Sequence, residues 1–245
     1  MALTYLPLLK IQLDLYAMPR GMDRFRAYIK TMTDEETGDL ALPLVAMNPM
    51  GKEHVPALIE QYLALDAEGI AADALASVKV TLARDYKVSV VVSDDLKGGW
   101  TNRWTSEFSH RIEGAAITKR GFLVGILWTS EPASATAARQ AVLTAVYREE
   151  YLQSHPVPKT LAEMLAQEGY ATARARCTTP SLDAEDLAYT RSVIEPHLSA
   201  TSRSIVIPCL FGDAAANALG YPPQGLSDRA GLALARHDAI TQMRR

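Results

Sequence analysis

The sequence predicts an α/β protein with a mostly parallel central sheet flanked by helices and a loop or hairpin insertion around residues 93–120. Three observations carry this. The segment YKVSVVVS (86–93), with its consecutive β-branched Val90, Val91 and Val92, and the apolar segment FLVGILWT (122–129) read as strands covered on both faces. Between such segments, apolar residues recur at three- and four-residue spacing. Strands separated by helices need crossover connections, which favour parallel pairing. Finally, 245 residues with 48% hydrophobic and 22% charged side chains match an ordinary globular chain. A chain of that length can bury roughly 70% of its extended surface without disulfide or metal staples.

Taken in order, residues 3–16 read as β-like, and 20–32, opened by Pro19 and Gly21, as helical. Residues 40–47 (LALPLVAM) form a short apolar run read as a strand, stopped by Asn48, Pro49, Met50 and Gly51. Val55, Leu58, Ile59, Tyr62 and Leu63 then mark an amphipathic helix, with Pro56 tolerable in its first turn. The strands at 86–93 and 122–129 follow, then a long helix over 133–152 that Ser130 or Ser134 would cap. Pro156 and Pro158 end it. A helix at 161–167 stops at Gly169, and 182–198 is helical with Asp183, Glu185 and Asp186 near its positive end. Residues 205–211 (IVIPCLF) read as a last strand. Asp213 caps a short helix that Gly220, Pro222 and Pro223 terminate, and Ser227 caps a C-terminal one. The stretch 153–181 is the one interior boundary the composition suggests, yet helix continues within it. The expectation is therefore a single α/β domain over 1–245, the helices from about 153 onward forming at most a subdomain.

Several function classes are excluded or disfavoured. The first residues lack a basic region and a small-residue cleavage site, and no apolar run approaches the roughly 20 residues that span a bilayer, so neither a signal peptide nor a membrane partner is expected. Cys177 and Cys209 lie far apart in no metal-binding or redox spacing, which fits a cytoplasmic, reducing location. With 25 basic and 28 acidic residues the net charge is −3, which disfavours a nucleic-acid partner. The Gly51-Lys52 pair fails as a phosphate loop, because Ala46 and Glu53 stand where glycine and Ser or Thr are required. No dinucleotide, zinc-protease, esterase-elbow or calcium-loop motif is present.

The positive signal is the density of polar groups from Ser93 to Glu113, beginning at the carboxyl end of the clearest strand, where ligands bind in open α/β sheets. Asp94, Asp95, Glu107 and His110 are the candidate acid-base groups. Lys97, Trp100, Asn102, Arg103 and Arg111, together with Lys52, are the candidate substrate contacts. Adjacent carboxylates at a strand end also suit a divalent cation, which makes Asp94 and Asp95 the candidate metal ligands. Residues 104–112 read as a strand, which puts Glu107 and His110 on opposite faces; a helix would put them on one face at the spacing that builds metal sites. By the same rule for strand ends, Asn48, Lys52, Glu53, His54, Ser130, Glu131 and Asp213 are secondary candidates that converge on Asp94 if the strands are parallel neighbours. The resulting expectation is an intracellular enzyme acting on a small anionic substrate by hydrolysis or group transfer. The alternative is a non-catalytic ligand-binding or homo-oligomeric protein that uses the Trp- and Arg-rich segment 97–113 as its contact surface.

Overall fold

The computed structural model describes residues 2–96 and 101–244. In order, the elements are β1 (Leu3–Tyr5), α1 (Leu9–Ala17), α2 (Met22–Met32), α3 (His54–Ala64), α4 (Ala67–Ala76), β2 (Tyr86–Ser93), α5 (Arg103–Phe108), α6 (Ala115–Thr118) and β3 (Phe122–Trp128). They continue as α7 (Ala135–Leu152), α8 (Leu161–Arg174), α9 (Ala184–Ile194), α10 (Arg203–Phe211), α11 (Asp213–Leu219) and α12 (Ala230–Met243). The chain divides into two compact units, one of residues 1–103 and 114–146, the other of residues 104–113 and 147–245.

The first unit is mixed α/β. Its sheet has the order β1-β2-β3 with both pairs parallel, Leu3 opposite Tyr86 and Ser93 opposite Trp128. Every β2 side chain except Lys87 is buried, which explains the unbroken Val90-Val91-Val92 run in a strand covered on both faces. Helix α7 lies so close to β3 that a Cβ on Gly125 would sit 2.6 Å from the Ala141 carbonyl carbon. Because β1 ends at Tyr5, no strand among the described residues pairs with β2 beyond Val88 on that side. The buried side chain of Gln12 takes that place: Nε2 donates to the Val92 carbonyl (3.0 Å) and Oε1 accepts from the Val92 amide (2.9 Å). A helical side chain thereby fixes the end of the central strand.

The second unit is helical. Thr160 and Glu163 form a reciprocal capping box at the start of α8, and Asp183 caps α9 through the Asp186 amide. Its core gathers Phe108, Ile112, Leu161, Met164, Ile194, Val206, Ile207, Leu210 and Phe211. Helices α8, α9 and α12 border a groove of about 760 Å³, in whose lining Arg191 and Asp238 are bidentately paired with one another.

Four expectations are corrected. Residues 3–16 are not one strand: Pro7 breaks the chain after β1, and Leu8, Leu9, Gln12, Leu15 and Tyr16 then form a buried helical stripe. Residues 40–47 are turns that bury Leu44 and Met47, joined to the sequence before them by a single bridge from Thr33 to Leu40. Residues 205–211 are the helix α10, buried from Val206 to Phe211; a fully buried helix shows no amphipathic period, and Pro208 is poorly suited to a strand interior. Residues 104–112 are helical too, α5 running into a π-helical turn at Ser109–Glu113, so the described part of the expected loop or hairpin is a series of short helices. Among the caps, the Ser134 hydroxyl accepts from the Ala137 amide at α7, whereas α12 starts without a side-chain cap. Helix α8 continues through Gly169, where a Cβ would stand 2.5 Å from the Ala235 carbonyl oxygen. Among the described residues no helix is long and apolar enough to cross a membrane.

Candidate functional site

Asp94 and Thr129 directly follow β2 and β3, and the Thr129 amide continues the ladder to the Ser93 carbonyl (3.1 Å). The parallel register therefore sets the two residues side by side at the carboxyl edge of the sheet. Asp94 is fully buried. Its Oδ1 lies 2.8 Å from His54 Nε2 and 3.2 Å from the Thr129 hydroxyl oxygen and accepts from the Leu96 amide (3.2 Å), while Oδ2 accepts from Asn48 Nδ2 (3.2 Å). His54 opens α3 and keeps its side chain 20% exposed. The pair thus joins a desolvated carboxylate to an imidazole that reaches the surface.

The loop between residues 47 and 54 is held from below. The Tyr16 hydroxyl donates to the Asn48 carbonyl (2.6 Å), and the Asn48 side chain accepts from the Met50 amide (3.0 Å). Burial, and next the Asp94 carboxylate, push the Tyr16 phenol well above its ordinary value, so it stays a donor. Arg24, buried on α2, donates to the carbonyls of Met18, Tyr16 and Gly51 and lies over the Tyr16 ring. Gly51 is enclosed: a Cβ would meet Val55 at 2.9 Å and Tyr16 at 3.2 Å.

Asp95 turns to a second cluster. Its carboxylate accepts from the Ser130 amide (2.8 Å) and hydroxyl (2.6 Å), the Thr129 hydroxyl (2.9 Å) and Arg103 (2.7 Å). Burial opposes the charge, yet the donors from Ser130, Arg103 and Thr129 outweigh it and hold the carboxyl below its usual range. Arg103 also binds Glu131 (2.6 Å) and stacks 4.2 Å from the Trp128 ring centre. Asp95 and Arg103 are thus spent chiefly on each other and on the start of the segment after β3.

Of the expected site residues, the structure joins Asp95 to Arg103, turns Asp94 to His54 and Asn48 instead, and leaves Lys52 exposed two residues before His54. Asn102 is exposed immediately before α5. Lys97 and Trp100 lie outside the described residues. Glu107, His110 and Arg111 belong to the second unit. There the buried Glu107 carboxylate accepts two bonds from Arg229 (2.7 Å each) and one from Arg111 (2.7 Å), and Arg111 continues to the buried Glu168, which Arg148 also grips (2.6 and 3.0 Å). Asp213 clips the amides of Gln224 and Gly225 in the same unit. Among the described residues, no group of three or more His, Cys, Asp or Glu side chains is placed to hold a metal ion.

Asn48 and His54, secondary candidates in the sequence, are the direct partners of Asp94. Tyr16, Arg24 and Gln12 carry no sequence signal, because their role arises from helices folding back on the sheet edge. The same holds for Arg148, Glu168 and Arg229.

No family model matches the chain, and no solved structure matches it. It is 40% identical over 77 residues to a curated protein of Bacillus subtilis (strain 168) that bears the name "Uncharacterized protein YjfC". That stretch is 31% of this chain and 26% of the relative, so the chain spans about a quarter of the length of the protein it matches.

Proposed function

We propose that the protein is an intracellular enzyme that hydrolyses, or transfers a group from, a small anionic substrate, with His54 as general acid-base and Asp94 as the residue that positions it. One observation carries the reading: the 2.8 Å contact from His54 Nε2 to the fully buried Asp94 at the carboxyl edge of a parallel sheet. A proton on Nε2, held by the carboxylate, leaves the Nδ1 lone pair to take a proton from water as the water oxygen attacks the substrate. The imidazolium so formed is stabilised by Asp94 and returns the proton to the leaving group. The free thiols of Cys177 and Cys209 fit a reducing compartment.

The test is turnover of chromogenic phosphate and carboxylate monoesters by the wild type, His54→Gln and Asp94→Asn. Each substitution should lower kcat/KM by about 10²–10⁴-fold, the usual span for a lost general acid-base. Turnover unchanged in both variants, or absent from the wild type across the panel, removes the reading.

A further inference from the structure

The groove bordered by α8, α9 and α12 lies wholly within the helical unit, and three ties hold its walls in place. The Leu161 and Ala162 amides at the start of α8 donate to the carbonyls of Ala200 and Leu198 (2.9 Å each), which anchors that helix to the turn after α9. Arg191 and Asp238 join α9 to α12, and Gly169 brings α8 against Ala235 of α12. Small side chains in the lining, Ala162 and Ala166 on α8 and Ala239 on α12, leave the space between open. Part of the wall is aromatic. The rings of Tyr151, in the last turn of α7, and His155 stack with centroids 3.9 Å and planes 4° apart, and Tyr170 of α8 meets Tyr151 at 5.5 Å and 49°. Leu198 and Met243, also in the lining, are 38% and 53% exposed, so apolar surface there stays in contact with water. The charges are biased towards acid. Among the described lining residues Arg191 is the one guanidinium or ammonium group; it is spent on Asp238, and Asp238 and then Glu195 hold it charged. Burial and then the Glu163 carboxylate push the Tyr151 phenol up, so it stays neutral. An anion in the groove would meet Glu195 with no unspent guanidinium or ammonium group beside it.

We propose that this groove binds a small, uncharged molecule carrying aromatic rings. The site shares no residue with the His54–Asp94 pair and stands whether or not that pair is catalytic. Its volume of about 760 Å³ falls within the roughly 300–1,000 Å³ of small-molecule pockets, which are mostly apolar with a few polar groups. Two turns of a partner helix, 10–12 Å across, would occupy roughly 850–1,200 Å³, more than the groove offers. Rings of the ligand would stack offset or edge-on against Tyr151, His155 and Tyr170. Its apolar body would cover Ala166, Leu198 and Met243 and release the water over them. The lack of charge on the ligand follows from the acid bias of the lining, since a desolvated ion without a partner is costly.

Fluorescence titration of the full chain with N-phenyl-1-naphthylamine, with 8-anilinonaphthalene-1-sulfonate as comparator, tests this, because the two probes share their rings and differ by one sulfonate. The uncharged probe should bind one to one and at least about tenfold tighter than the sulfonate. Ala166→Trp, which fills the groove from an exposed position on α8, should weaken the uncharged probe about tenfold or more. Glu195→Lys should tighten the sulfonate about threefold or more and leave the uncharged probe within about twofold of the wild type. Circular dichroism checks that both variants are folded. Nuclear Overhauser contacts from the bound naphthyl ring to Tyr151, His155 and Tyr170 in the wild type locate the site without any variant. The assignment is overturned by the absence of saturable binding of the uncharged probe, by equal or tighter binding of the sulfonate, or by contacts to other residues. Unchanged binding in Ala166→Trp, or an unaltered sulfonate affinity in Glu195→Lys, overturns it as well. So does a dimer in sedimentation that excludes the probe and dissociates in Ala166→Trp, since the occupant is then a second copy of this chain.

Discussion

At the scale of single residues, Glu168 shows how burial and charge are balanced in the helical unit. Its carboxylate is 1% exposed and is shared by Arg148 and Arg111. Burial works against its charge, but the two guanidinium groups prevail and hold the carboxyl at about 2 rather than 4.5. Since the folded value lies below the unfolded one, Glu168 stabilises the native state fully above about pH 4.5, and that contribution disappears as the pH falls through about 2. Glu168→Gln keeps the shape but takes the carboxylate from Arg148 and leaves Arg111 to share Glu107 with Arg229. It should cost about 3–5 kcal/mol at neutral pH, and the acid limb of the melting temperature should be shallower than in the wild type. A melting series from pH 2 to 7 on both proteins checks this; parallel acid limbs would show that other carboxylates govern acid unfolding.

At the scale of elements, close helix packing is set by small residues whose reason is invisible in sequence. Gly169 reads as a helix stop, but its lack of a Cβ is what lets α12 approach α8, with the Ala235 carbonyl oxygen 2.5 Å from where that atom would be. Alanine would be favoured over glycine by about 1 kcal/mol in an isolated helix. Here the obstacle is backbone, so Gly169→Ala should instead destabilise by about 1–3 kcal/mol, as overpacking does, in a denaturant titration. Thr160→Ala, which opens the capping box, should cost about 1 kcal/mol in the same assay. These cases show what the sequence could reveal. The strands at 86–93 and 122–129 were legible as short apolar segments, each ended by polar residues, the first carrying the Val90-Val91-Val92 run. The IVIPCLF run was not, because a buried helix and a buried strand share one hydrophobic pattern. Asp94 and Asp95 were legible through their place at a strand end, yet nothing local separates the carboxylate facing His54 from the one held by Arg103. That difference depends on which loops the register brings beside each.

For the whole molecule, the informative division is between two hydrophobic cores with no member in common. One is built around Val90, Val91, Val92 and Leu127 on the sheet, the other around Leu161, Ile207, Leu210 and Phe211 among helices. The segment 104–113 lies in sequence between β2 and β3 but belongs to the second core, held there by Phe108 and Ile112 and by the Glu107 carboxylate on Arg229. Polar residues dense enough to resemble a binding loop are in part the buried ionic frame of a helical unit. The near-neutral total charge of −3 conceals this local use, in which guanidinium and carboxylate groups neutralise one another inside the protein. Cooperative opening follows contiguous packed units, so a defect in the ionic frame should loosen the unit that contains it first. In Glu168→Gln, hydrogen exchange measured by mass spectrometry should therefore accelerate in peptides covering 104–113, α8 and α12, while peptides covering β2 and β3 keep their wild-type protection. Equal acceleration in both sets would mean that the two cores open as one cooperative structure, and the ionic frame would then support the whole chain.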